Sequence, residues 1–187
     1  NFTFCELTGL YWIWKNSTED IVGLCHYRRY FGKNRRFYRK SSILNKNDIL
    51  QELRDSDIIL PLKGMNEYNG YTAETFFNKK HDYEVWEKCR QLISEKYEVY
   101  LEAFEWFCKE ETGYCYNMFI MSKELTDEYC SWLFPILFDL DRMIDYSKYD
   151  SYNKRMIGFV AERLINVWVH HKQLKVKEFP VFSTEEP

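Results

Sequence analysis

The sequence has no stretch able to cross a bilayer: its longest apolar run, 132–140, is interrupted by Pro135 and Asp139 and falls short of the roughly 20 residues a spanning helix needs. It opens without a signal-peptide pattern, and no internal repeat or low-complexity tract follows. CxxC is missing, and none of the six cysteines, at 5, 25, 89, 108, 115 and 130, has a histidine at zinc-like spacing. Most of these cysteines lie within apolar runs, so they are expected to be reduced, buried thiols of a cytosolic protein. Neither sign of charge is in excess. Lys and Arg number 26 against 29 Asp and Glu, a net of −3, which indicates neither a general nucleic-acid binder nor an acidic tail. Partners must therefore be sought in local patterns.

What is present begins with enough chain for one domain, 187 residues, able to bury roughly 70% of its unfolded surface. Aromatic residues make up 19%; they suit sugar-stacking platforms, but a core rich in tyrosine and phenylalanine explains most of them. The central stretch is IVGLCHYRRYF, 21–31, where an apolar run ends at His26, Tyr27, Arg28 and Arg29. Ile21, Val22 and Leu24 suit a strand buried on both faces, as in a parallel sheet with helices on either side, and such sheets bind ligands beyond the carboxyl ends of their strands. Arginine forks match phosphate oxygens two bonds at a time. Paired arginines there would grip a nucleotide diphosphate or another anion, or equally pair with carboxylates of the same fold.

Helical spacing of Leu7, Leu10, Tyr11 and Trp14 predicts a helix over about 3–15. A doubly wound domain should begin with a strand, and none precedes this helix, so the first ~30-residue βαβ unit of the fold is expected to be missing. The basic, aromatic segment 32–40 leads to a short helix over 48–54 with Asn47 as its cap, and 57–60 reads as a second strand. A loop is expected over 62–72, helical stretches over about 82–95 and 97–109, and a third strand over 114–121 with Asn117 in its middle. Ser122 should cap a helix that Pro135 kinks or breaks. A last helix should run over about 153–170, followed by an edge strand at 179–182. The expected architecture is a single α/β domain, 1–187, with a mainly parallel, Rossmann-type sheet flanked by helices and a helical insertion at about 74–110.

On the last helix Arg155, Phe159, Glu162 and Asn166 share a face opposite the stripe Met156, Val160, Leu164, Val167 and Trp168. That face serves either a ligand or solvent. Glu6, off the apolar stripe of the first helix, is placed to reach Arg28 or Arg29 as a substrate contact or a structural ion pair. Two Asp-x-Asp patterns occur, and neither is well placed for a metal: Asp55–Asp57 stands at the start of its strand and Asp139–Asp141 lies in a helix.

The segments CELTGLYWIWKN, GLCHYRRYF, DIILP, YNMFIM with EYCSWLFPIL, and RMIGFVAERLINVWV, in that order, resemble a family of bacterial capsular and exopolysaccharide biosynthesis proteins, long known as a domain of unknown function and regarded as glycosyltransferases of the GT-A type. The resemblance implies a hexosyltransferase-type enzyme moving a sugar from a nucleotide-sugar donor to a glycan or lipid-linked oligosaccharide acceptor, in the cytoplasm or at the inner face of the cell membrane. The residue pattern gives that activity specific places. Glu162 would be the catalytic or acceptor-orienting carboxylate, His26, Tyr27, Arg28 and Arg29 would bind the donor, and Glu6, Asn117, Arg155 and Arg163 would contact substrate. Cationic side chains would then neutralise the leaving diphosphate without a metal, although a divalent ion is common in the fold. A non-catalytic glycan-binding or scaffold protein is the alternative. A nucleic-acid binder, from the basic residues of 28–40 with Tyr30, Phe31, Phe37 and Tyr38 between them, conflicts with the overall charge balance.

Overall fold

The structure, a computed structural model, describes residues 2–33, 40–65 and 70–184. Its centre is a four-stranded sheet built from β1 (Ile21–Leu24), β3 (Ile58–Pro61), β6 (Phe119–Ser122) and β7 (Val176–Phe179), in the order β1-β6-β3-β7. Two small ladders flank it: β2 (Arg29–Phe31) with β8 (Val181–Ser183), and β4 (Gly64–Met65) with β5 (Thr112–Gly113). The three segments expected to share a sheet do share one. Its direction differs from the expectation of a mainly parallel sheet: β6 runs antiparallel to both β1 and β3, and only β3 and β7 are parallel.

The physical reason lies in what covers the sheet. Ile58, Ile59 and Leu60 are all fully buried, the composition expected of a parallel strand with helices on both faces. Here Ile58 and Leu60 face the large helical core, while Ile59 packs into a second small core with Phe31, Met118, Ile120 and Phe179. That second core is closed by residues from the β2 and β8 ladder and by Ile49 and Leu53. An antiparallel strand covered on both faces has the same composition as a parallel one.

The helices are α1 (Leu7–Asn16), α2 (Lys46–Glu52), α3 (Ala73–Lys80), α4 (Tyr83–Lys96), α5 (Leu101–Lys109), α6 (Lys123–Met143) and α7 (Met156–Lys172). Trp86, Phe77, Phe104, Phe134 and Trp168 are fully buried among them. Side-chain caps set the start of α2, α3, α4 and α6. Asn45, not Asn47, caps α2, because its side chain accepts the N–H of Asn47 and Asp48 while Asp48 reaches back to its own N–H. Ser122 caps α6 as expected, accepting the N–H of Leu125 at 3.2 Å. Pro135 neither breaks nor ends α6, whose 21 residues run through it. Leu133, Phe134, Ile136 and Leu137 around it are fully buried, and their burial outweighs the one lost backbone hydrogen bond.

The third strand begins at Phe119, not at 114. The side chain of Asn166, on α7, accepts the Tyr114 N–H at 2.7 Å and donates to the Tyr114 carbonyl at 3.0 Å, so these groups are withdrawn from any ladder. Tyr116 then takes a left-handed backbone, φ 69°, which a bulky residue adopts only under constraint. At the other end of the chain, Pro180 divides the expected edge strand into β7 and β8, and its carbonyl accepts the Gly32 N–H. A side chain at Gly32 would collide with the Phe182 ring, 2.0 Å from where its Cβ would stand.

None of the six cysteines is in a disulfide. Cys89, Cys108 and Cys130 are buried as expected, whereas Cys25 and Cys115 are exposed, because both lie in irregular segments beside the sheet ends. Among the described residues no helix is long and apolar enough to cross a membrane. The basic residues of 34–39, with Phe37 and Tyr38, and the loop residues 66–69 lie outside the described residues.

Candidate functional site

Beyond the end of β1 the chain turns sharply, the Arg29 N–H bonding the His26 carbonyl at 3.0 Å, and Arg29 opens β2. It thereby forms one wall of a cleft of about 430 Å³. Arg155, Phe159, Glu162 and Arg163, from the start of α7 and the turn before it, form the second wall; Phe76, Lys80 and His81 at the end of α3 form the third, and Tyr116 and Tyr152 complete the lining. Four cationic side chains and one carboxylate thus face a single space, one suited to an anionic ligand.

The cations are held by aromatic rings. Arg29 lies 4.4 Å above the Tyr116 ring, and Arg155 lies 5.6 Å from Phe159 while its Nε donates to Cys5 Sγ at 3.1 Å. Contact with a ring face restrains a guanidinium while terminal N–H groups can still donate to a ligand. Arg163 is more committed, donating to Glu162 Oε2 at 2.7 Å and to the Phe159 carbonyl at 3.1 Å. Burial pushes the Glu162 carboxyl up from its usual range; the Arg163 charge opposes this and the negative charge of Glu6 adds to it.

Two histidines beside the cleft are shifted toward the neutral form. His81 stacks on Phe159 at 4.3 Å with Nδ1 3.4 Å from Asn153 Oδ1, and burial with the Arg163 charge lowers it to about 4. His26 is lowered first by desolvation and then by Arg29, with Glu6 acting in the opposite direction. Glu6 itself accepts Asn117 Nδ2 at 2.8 Å, and the same amide donates to the Gly158 carbonyl at 3.2 Å. Asn117 therefore ties the lead-in of β6 to α7 and fixes Glu6 beside the cleft.

Of the residues singled out in the sequence, the structure brings Arg29, Arg155, Glu162 and Arg163 together, with His26, Glu6 and Asn117 in the adjoining layer. Tyr27 and Arg28 are not in the lining: Tyr27 is 71% exposed and Arg28 lies 4.5 Å above its ring. Asn166, expected on the face of Glu162, is buried as the Tyr114 clamp. Sequence reasoning missed Tyr116, His81, Lys80, Phe76 and Tyr152. The left-handed turn at Tyr116 has no sequence signature, while Thr72 before 73–80 was a usable helix-cap signal for the α3 wall.

Three of the four Asp-x-Asp carboxylates are engaged elsewhere. Asp57 accepts the Lys175 N–H at 2.7 Å, Asp139 pairs with Lys96 and Arg142, and Asp141 accepts the Tyr146 hydroxyl. Among the described residues no three of His, Cys, Asp and Glu gather as metal ligands. These donor sets do not fit the divalent ion that the resemblance implies.

A profile of the family described as Domain of unknown function (DUF4422) matches residues 1–173. The chain superposes on the solved apo structure of the WbbM bifunctional glycosyltransferase with a TM-score of 0.89 and 30% identity, covering 100% of this chain and 37% of that one. It thus spans little more than a third of that protein. No curated protein matches the chain.

Proposed function

The chain belongs to the family described as Domain of unknown function (DUF4422), and from that premise we propose that it is a glycosyltransferase domain that moves a hexosyl group from a nucleotide-sugar donor to a glycan acceptor in capsular or exopolysaccharide biosynthesis. The observation that carries this reading is the convergence of Arg29, Lys80, Arg155 and Arg163 around Glu162 in one cleft, within a fold that superposes on a glycosyltransferase. Arg29 and Arg155 bind the donor diphosphate with their stacked guanidinium groups. As the bond from the sugar to the diphosphate oxygen breaks, they neutralise the charge that develops there, each charge-assisted hydrogen bond contributing about 1.5–3 kcal/mol.

Glu162 acts on the acceptor. With inversion of configuration, its carboxylate takes the proton of the attacking hydroxyl as that oxygen bonds to the sugar, and an upward-shifted carboxylate is the stronger base. With retention it orients the hydroxyl. The ion pair to Arg163 holds the carboxylate in one position in either case. The same ion pair favours a second reading, a glycan-binding protein without turnover, in which Glu162 only anchors α7. Screening the protein against a panel of nucleotide sugars for release of nucleoside diphosphate, with Glu162→Gln in parallel, separates the two. Donor-specific release that Glu162→Gln suppresses supports the transferase, and no release with any donor leaves the binding protein.

A further inference from the structure

A second cleft, of about 370 Å³, opens along α7 beyond the candidate site and takes no part in the chemistry proposed above. It is lined by Trp106, Tyr114, Asn166, His170, Gln173 and Lys63, among others. Asn166, Val169, His170 and Gln173 continue the helix face that carries Phe159 and Glu162. Roughly ten residues separate the centres of the two groups, so the clefts stand about 15 Å apart along one helix. The segment clamped by Asn166 crosses between them and carries Tyr114 to the second cleft and Tyr116 to the first.

The chemistry of this cleft is specific. Trp106 and His170 stack at 3.7 Å with their planes 10° apart and both line the cleft, together with the edge of the buried Tyr114 ring, which has Lys63 5.3 Å from its centre. His170, Gln173 and Lys63 are exposed polar residues. Gln173 holds a left-handed backbone, φ 53°, at the end of α7 and carries its side-chain amide there. Tyr114 donates its hydroxyl to Glu178 at 3.0 Å, which places a carboxylate at the far edge of its ring and disfavours a phosphate or other anion. Flat rings beside amide, ammonium and imidazole groups suit a ligand with one apolar C–H face and a rim of hydroxyls, and the volume lies in the range of small-molecule sites.

We propose that the cleft between Trp106, Tyr114, His170 and Gln173 is a glycan-binding subsite, taking a neutral sugar unit of an oligosaccharide that extends from the candidate site. The assignment of that oligosaccharide as the acceptor rests on the proposed function; the binding of sugar does not. The test uses immobilised linear oligosaccharides of glucose, galactose, mannose and N-acetylglucosamine, of increasing length, probed with the whole chain in the absence of donor. The protein is expected to retain at least one series, longer members better than monosaccharides. Trp106→Ala should weaken that binding at least tenfold.

Trp106 is half-buried, so the double variant Lys63→Ala, Gln173→Ala, which removes only exposed side chains, provides a second arm with an expected loss of several-fold. Binding unchanged in both variants overturns the proposal, as does an array on which no series is retained. Failure of the transferase reading looks different: no donor is turned over, yet oligosaccharide binding still falls in the Trp106 and Lys63–Gln173 variants.

Discussion

Lowering the pH through the histidine range should destabilise this protein through His81, and the size of the effect follows from its position. The ring lies between Phe77 and Phe159, at 4.9 and 4.3 Å, with Arg163 and Lys80 contributing positive charge. These surroundings lower its pKa from 6.5 to about 4. In the unfolded chain the ring takes up a proton near 6.5, whereas in the folded protein it stays neutral until about 4. Its contribution is fully present above 6.5 and is lost as the pH falls through that interval. The shift corresponds to at most about 3 kcal/mol, and because the ring is only half-buried, solvent screening reduces this to about 2 kcal/mol. Urea midpoints measured between pH 7.5 and 4.5 should therefore fall more steeply in the wild type than in His81→Phe, which retains both ring contacts. Equal slopes, or an imidazole titration by NMR near 6.5, would refute the reasoning.

Other perturbations test other parts of the account. Asn166→Ala strands the buried N–H and carbonyl of Tyr114 and should cost about 2–6 kcal/mol in chemical denaturation, at about 1–3 kcal/mol for each unmet group; a loss below 1 kcal/mol would show that the clamp is replaceable. Arg29→Ala removes a guanidinium from the cleft lining and should weaken donor binding by one to two decades in calorimetry, corresponding to about 1.5–3 kcal/mol. Arg28→Ala, whose guanidinium lies over Tyr27 outside that lining, should change it less. Equal effects of the two arginines would contradict the assignment of the cleft wall.

How far the sequence showed this arrangement depended on which level of structure carried the information. Ile21–Leu24, Ile58–Pro61 and α7 were legible because an apolar run and a 3.6-residue stripe are properties of neighbouring positions. The convergence of Arg29 with Arg155 and Glu162 was partly legible, since a strand end and one helix face each limit where a side chain can stand. Strand direction was not legible: Ile59 looks the same whether a helix or the small core with Phe31 and Phe179 covers it. The wall formed by His81 and Lys80 depended on α3 packing against α5 and α4. Tyr116 depended on a left-handed turn that Asn166, fifty positions later, helps to fix through Tyr114. Tyr27 and Arg28 belonged to the right segment, but the turn that places Arg29 in the cleft leaves their rings and charges outside its lining.

The central claim, that the arginine-lined cleft carries out glycosyl transfer with Glu162 acting on the acceptor, is tested most directly by one comparison. Glu162→Gln keeps the side-chain shape and removes the charge, and its single-turnover rate with the donor found in the nucleotide-sugar screen can be set against its thermal midpoint. The rate is expected to be lower by about 10²–10⁴-fold if the reaction inverts configuration, with a midpoint close to wild type because the burial cost of the carboxylate and its pairing with Arg163 are lost together. A normal rate combined with a marked fall in the midpoint would contradict it, and would make Glu162 the anchor of α7.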